Sequence, residues 1–289
     1  MNEMNTPKHA DREALRISFE FFPPKTESGM ASLTRVVARL QDVGPEFFSC
    51  TYGAGGSTRD GTRETIGVLQ TLGVSAAPHL SIGADSQQAI FELLDTYRDM
   101  GVDRIVALRG DVPSGMGAAR ISHNAESLVR WIREHSGDHF HIEVAAYPEV
   151  HPDASSAESD LAYFAAKIKA GANSAITQYF YNPHAYYDFI ERCSAAGITA
   201  PIYPGIMPIT SLEGILRFSA KCGADVPRWI QQRLAGCGND EDAVRAFTTD
   251  YLSRMCEELI AAGAPGLHFY TLNRWGVSLA VCRNLGLVA

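Results

Sequence analysis

The chain is 289 residues long and 46% hydrophobic, enough to bury one large core without requiring a second domain. Its 25 Lys plus Arg against 33 Asp plus Glu leave a formal charge of -8, which argues against a dedicated nucleic-acid binder and against electrostatic docking on a membrane. Six scattered cysteines without a C-x-x-C pair, and no run of about eighteen apolar residues, lead us to expect a reduced, cytoplasmic protein.

The opening MNEMNTPKHADR is polar and reads as a flexible tail, so residues 1–15 are set apart from one domain over 16–289. From there, short apolar runs alternate with amphipathic stretches, the mark of a parallel α/β sheet. RISFEFFP (16–23) is the first predicted strand, followed by a helix over ASLTRVVARLQDVG. FFSCTYG (47–53), SAAPHLSI (75–82) and RIVALRGD (104–111) come next, with SQQAIFELLDTYRDMG as the helix before the fourth. HIEVAAYP (141–148), the helix SDLAYFAAKIKAG, SAITQYFY (174–181) and PIYPGIMP (201–208) continue the series at intervals of roughly one β/α unit. The gap then doubles, holding LEGILRFSAKCG, VPRWIQQRLAGCG and DEDAVRAFTTDYLSRMCEELIAAG, before the eighth strand GLHFYTLN (266–273). The pattern predicts a single (β/α)8 TIM barrel with extra helices before the last strand. A doubly wound sheet is the alternative, but the first strand is followed by PPKTESG rather than G-x-G-x-x-G. GAGGST (53–58) lacks a P-loop lysine and reads as a tight turn.

A barrel carries its active site where the strands end, and polar residues gather there. Glu20 ends the first strand, Thr51 and Tyr52 the second, His79 lies in the third, and Arg109 and Asp111 end the fourth. Tyr147 and His151 follow the fifth, Gln178 lies in the sixth, and Tyr270, Asn273 and Arg274 close the eighth. Glu20 stands among phenylalanines in FEFFPPKT, a setting that disfavours the ionised form of a carboxyl group. Each residue also has a plainer reading: Glu20 as one half of an ion pair, His79 as a hydrogen-bonded core histidine, Arg109 and Asp111 as partners of each other. A metal site would need His79, Asp111 and His151 together. Spacing alone describes a barrel enzyme with a polar-rimmed, aromatic-lined pocket and does not name its reaction.

SFEFFPPKT, TYGAGGSTRD, AAPHL, IVALRGD, VAAYPEVHP, AGANSAITQYFY, PGIMPIT and HFYTLNR resemble, in order and spacing, the motifs of the bacterial 5,10-methylenetetrahydrofolate reductase family. The resemblance implies a flavin-containing barrel that uses NADH or NADPH, with NADH favoured, to make 5-methyltetrahydrofolate for methionine synthesis by ping-pong kinetics. It implies a homo-oligomer whose partners are small molecules, with no nucleic acid and no membrane. Glu20 matches the general acid and Asp111 an aspartate near flavin and pterin. Gln178, Arg274, Leu212 and Thr51 match substrate-side positions. FAD contacts fall on Thr51, Tyr52, Ala54, His79, Arg109, Gly110, Asp111, Tyr147, His151, Ala154, Asp160 and Lys167. Tyr163 and Ala166 stand where enterobacterial-type relatives carry Asn and Arg, and Leu212 where an aromatic can stack. Two other readings stay open at this point: a metal-assisted lyase with Glu20 as base, and a barrel that binds folate without catalysis. Bound oxidised flavin would make the purified protein yellow, which separates the first reading from a colourless lyase.

Overall fold

In a computed structural model the described residues are 15–52, 59–83, 85–110, 123–238 and 240–288; residues 1–14 of the predicted tail, the predicted turn 53–58 with Ala54, and Asp111 lie outside them. Among the described residues nine strands form one parallel sheet: Arg16–Phe21 (β1), Phe47–Cys50 (β2), Ala76–Ser81 (β3), Arg104–Leu108 (β4), His141–Ala146 (β5), Ser174–Thr177 (β6), Ile202–Tyr203 (β7), Gly205–Ile206 (β8) and Gly266–Tyr270 (β9). Their order is β7-β6-β5-β4-β3-β2-β1-β9-β8. All eight predicted strands are present, and the ninth arises because Pro204 divides the predicted seventh in two. Proline has no N–H to give to a ladder. The residues before it pair with β6 and the residues after it with β9, so one segment closes the ring through its own break.

Thr177 repairs that break. Its hydroxyl accepts from Gly205 N at 2.9 Å, and its carbonyl accepts from the Tyr270 hydroxyl at 2.7 Å. Gly205 has to be glycine here, since a Cβ would overlap the Thr177 carbonyl and lie 2.6 Å from the Tyr270 ring.

The helices Glu27–Leu40 (α1), Arg59–Thr71 (α2), Gln87–Asp99 (α3), Ala125–Ser136 (α4), Ala157–Lys169 (α5) and Pro183–Ala195 (α6) surround the sheet. Several start on a side-chain cap: Thr26 bonds Gly29 N, Asn124 bonds Ser127 N, and Ser156 and Ser159 form a reciprocal box. The predicted insertion is Leu212–Cys222 (α7), Arg228–Cys237 (α8) and Glu241–Ala261 (α9), and Gly276–Asn284 (α10) follows the last strand. Among the described residues no helix is long and apolar enough to cross a membrane. All six cysteines are free thiols.

Side-chain alternation decides what faces the centre. Ile17, Phe19 and Phe21 pack outward into the large core beneath the helices, where Phe19 and Phe21 each stack on Phe48 at 5.7 and 5.5 Å. Ser18 and Glu20 therefore point into the barrel. Phe47, Ala77, Val106 and Ile176 form a separate small cluster there, which is the dry middle of the interior.

Below that layer, at the amino ends of the strands, lies an ion network. Glu143 is fully buried and receives Arg104 at 2.5 Å, the Ser174 hydroxyl at 2.6 Å and His141 at 3.3 Å. Arg104 also reaches Glu46 at 2.6 Å and lies over the Phe47 ring. Burial alone would push the Glu143 carboxyl up, yet His141, Arg104 and Ser174 together outweigh it and hold it below its ordinary value. Removing one partner from such a pair leaves a buried charge uncompensated, a loss of about 3–5 kcal/mol. Arg104→Met is therefore expected to lower unfolding stability by that order, read from denaturant midpoints. A folded-state value below the unfolded one means that Glu143 stabilises fully above the ordinary glutamate range, and that this contribution is lost as pH falls through the depressed value. Acid unfolding of the parent should steepen there, and the Arg104→Met curve should lack that step.

Candidate active site at the carboxyl rim

Glu20, the fifth residue of β1, is held where the barrel opens. Its side chain is 12% exposed, and its Oε2 lies 3.3 Å from His79 Nε2 on β3 and 3.5 Å from His268 Nε2 on β9. Neither ring nitrogen makes a well-aligned hydrogen bond among the described residues, although both are buried. Burial pulls His79 below its usual value, with Glu20 offsetting part of that effect, so this imidazole is neutral near pH 7. Behind it, His268 is anchored by Ser18, whose Oγ lies 2.7 Å from Nδ1. The three phenylalanines of the motif do not enclose the carboxylate: two lie on the opposite face of the strand and Phe22 is 41% exposed.

The backbone around Glu20 is clamped from the turn after β9. Thr271 Oγ1 donates to the Glu20 carbonyl at 2.7 Å. Two residues on, the Asn273 amide accepts from Phe22 N at 2.8 Å and donates to Phe22 O at 2.9 Å, taking the place of a missing strand neighbour. The chain reaches this position through left-handed backbone at Leu272 and Asn273 (φ 53 and 56). That region costs an ordinary residue about 1–2 kcal/mol, and Asn tolerates it better than Leu.

A second group of residues spans the ends of β4 and β5 and the start of α5. Arg109 pairs with Asp153 at 2.8 Å. Gly110 has φ 81, and a Cβ there would overlap the Ser81 hydroxyl, so the position suits only glycine. The Tyr147 and His151 rings meet at 4.5 Å, His151 N donates to Asp160, and Ala154 N donates to the His151 carbonyl. Burial and then Arg109 push His151 below its usual value, against Asp153 and Asp160. Lys167 donates to the Ala145 carbonyl, and desolvation pulls its ammonium down to about 8. A shielded ammonium without a carboxylate bond, an exposed guanidinium and backbone that admits no Cβ make a donor set suited to a diphosphate, so these residues fit the dinucleotide end of a flavin cofactor.

The remaining predicted residues that are described lie just past strand ends or at a helix start. Thr51 and Tyr52 follow β2, with Thr51 N bonded to Phe21 O and the Tyr52 hydroxyl accepting from Arg59. Gln178 sits one residue past β6, where its N bonds Ala146 O and its own side chain accepts from Tyr179 N. Leu212 opens α7 and packs against the core, while Arg274 is exposed at the rim. Sequence reasoning left out His268 and Thr271, and it set Asn273 at the rim without a role. The histidine was hidden inside GLHFY, an apolar run that reads as core.

A family model described as methylenetetrahydrofolate reductase matches residues 5–286. The chain is 39% identical over 274 residues to 5,10-methylenetetrahydrofolate reductase of Pectobacterium carotovorum, covering 94% of this chain and 91% of that one. It is 38% identical to a protein of Arabidopsis thaliana named methylenetetrahydrofolate reductase (NADH) 1, of which it spans 48%. Among solved structures, an uncharacterized protein from Clostridium thermocellum described as binding two copies of 5-methyl-5,6,7,8-tetrahydrofolic acid superposes with TM-score 0.68 at 17% identity, over 95% of this chain and 96% of that one, a likeness of fold.

Asn273→Ala removes both bonds to Phe22 at roughly 1 kcal/mol each. The variant is expected to lose about 2 kcal/mol in urea unfolding with an unchanged slope. An unmoved midpoint would show that the clamp contributes nothing.

Proposed function

The chain belongs to the methylenetetrahydrofolate reductase family, and from that premise we propose that it reduces 5,10-methylenetetrahydrofolate to 5-methyltetrahydrofolate with NADH in two successive half-reactions at one site. The observation that carries the reading is the Glu20 carboxyl, set inside the barrel mouth with Oε2 within 3.5 Å of two imidazole nitrogens. Plant relatives named for NADH support the choice of nicotinamide.

The one-carbon unit of the substrate bridges two nitrogens, and hydride cannot reach it until one carbon–nitrogen bond opens. Glu20 gives its proton to the aminobenzoate-side nitrogen, which becomes a leaving group. His79, neutral and buried beside it, keeps a second positive charge away from the reacting carbon. Bound FAD would supply the two-electron relay between nicotinamide and folate. Lys167, Arg109 and the backbone at Gly110 would hold its diphosphate, with His151 and Tyr147 beside them. Gln178 offers one donor and one acceptor to the edge of a flat heteroaromatic ring, and Arg274 suits a carboxylate tail. Leu212 supplies an apolar wall, and Asp111, outside the described residues, keeps the neighbouring role that the resemblance implies.

Glu20→Gln preserves shape and removes the acidic proton. It is expected to slow the folate half-reaction by about 100-fold or more, while flavin reduction by NADH proceeds as in the parent. Stopped-flow absorbance separates the two, and a folate half-reaction at the parent's rate would remove Glu20 from the role. Lys167→Met should weaken flavin retention by about 10- to 100-fold, the loss of one charge-assisted bond. Titration of the apoprotein with FAD checks this, and undiminished affinity would place the diphosphate elsewhere.

A further inference from the structure

We infer that Tyr163, bare on the face of α5 that carries Asp160 and Lys167, is the platform on which the adenine of FAD stacks, and that it favours the dinucleotide over FMN. This rests on the reading of Lys167, Arg109 and Gly110 as the diphosphate cradle.

Asp160, Tyr163 and Lys167 are spaced three and then four apart, so they share one stripe of α5. Both ends of the stripe are tied to β5. Asp160 accepts from His151 N at 3.0 Å in the turn after that strand, and Lys167 donates to the Ala145 carbonyl within it. Tyr163, between them, has no hydrogen-bond, ring or ionic partner for its side chain among the described residues. It is 61% exposed, the most of any large hydrophobic side chain among them. By contrast, Trp229 stands edge-on to Phe247 and Tyr251, and Trp275 lies beneath Arg39.

A ring left in water contributes little to the fold, and tyrosine is a poorer helix former than alanine. What it offers is a flat face. The helix of a β/α unit runs back along its strand, so α5 starts at the rim, and helical side chains lean toward that start. Tyr163 therefore projects one turn nearer the rim than Lys167. Three residues on, Ala166 reaches no further than its Cβ and leaves the ring uncovered.

A dinucleotide leaves its diphosphate in two directions. The flavin arm has to reach Glu20 inside the barrel mouth, so the adenosine arm runs the other way, with its base one ribose from the phosphates. If Lys167 holds a phosphate, the side chain one helical turn along is the one that meets that base. Adenine is flat and uncharged, and stacking on a phenol ring needs no hydrogen-bond edge. FMN lacks this arm, so the ring contributes to binding of FAD alone.

Titration of the apoprotein with FAD and FMN, read by flavin fluorescence, and with ADP, read by calorimetry, tests the assignment. Tyr163→Ala is expected to weaken FAD and ADP by about 5- to 50-fold and to leave FMN within about twofold. Tyr163→Phe keeps the face without the hydroxyl and should hold all three near the parent's values. In Tyr163→Trp, ADP should quench the added indole emission, seen as a difference from the parent. The urea midpoint of the Tyr163→Ala apoprotein should match the parent's, because the ring packs against nothing. Equal FAD affinity in the parent and Tyr163→Ala overturns the inference and leaves the diphosphate cradle standing. Equal weakening of FAD and FMN overturns it too, since the ring would then act on the half that both share. A parent apoprotein that takes up neither flavin removes the cofactor reading itself, and this inference with it.

Discussion

The parity of β1 is the constraint on which the rest of the site depends. Successive residues on a strand point to opposite faces, so placing Phe19 and Phe21 against the helices obliges Ser18 and Glu20 to face the centre. A slip of one residue would send the carboxylate under the helices and two aromatic rings into the mouth. The outward rings prevent it, because Phe19 stacks between Phe48 and Phe269 on the two neighbouring strands. The apolar half of the motif thus sets the position of the polar half without touching it.

The two ends of the barrel interior are built for different tasks. At the bottom, Glu143, Arg104, His141, Ser174 and Glu46 satisfy one another in a closed network that leaves the buried carboxylate paired. At the top, the polar groups are close but incompletely bonded: His79 and His268 both aim a nitrogen at Glu20 outside good hydrogen-bond geometry. A satisfied network is structural, and an unsatisfied one at a strand end leaves capacity for a ligand. The dry cluster of Phe47, Ala77, Val106 and Ile176 separates the two.

Much of this was legible in the chain. The eight apolar runs begin where strands begin, and the doubled gap before GLHFY holds three helices. Polar residues at strand ends marked the rim, because buried parallel strands otherwise favour Val, Ile and Leu. What escaped was whatever depends on long-range pairing. The neighbours of Glu20 come from residues 79 and 268, and no local pattern tells which histidine a barrel closure will deliver. Linear reading surrounded Glu20 with the phenylalanines beside it in sequence, whereas alternation puts them on the other face. Arg109 is reached by Asp153, from the turn after β5, a partner 44 residues away that no local pattern announces. Asn273 gave no sign of its clamp, since a side chain imitating a strand edge looks like any rim amide.

The seam at Pro204 has a mechanical consequence. Elsewhere around the ring, neighbouring strands share three to five register pairs, whereas β7 and β8 hold their neighbours by two each. A cylinder under thermal stress parts at its shortest stitch, and this one lies beside β9, the strand that carries His268 and Tyr270. Breathing of the wall would therefore reach the mouth from one side only, while β1 to β4 remain a fixed plate on the other.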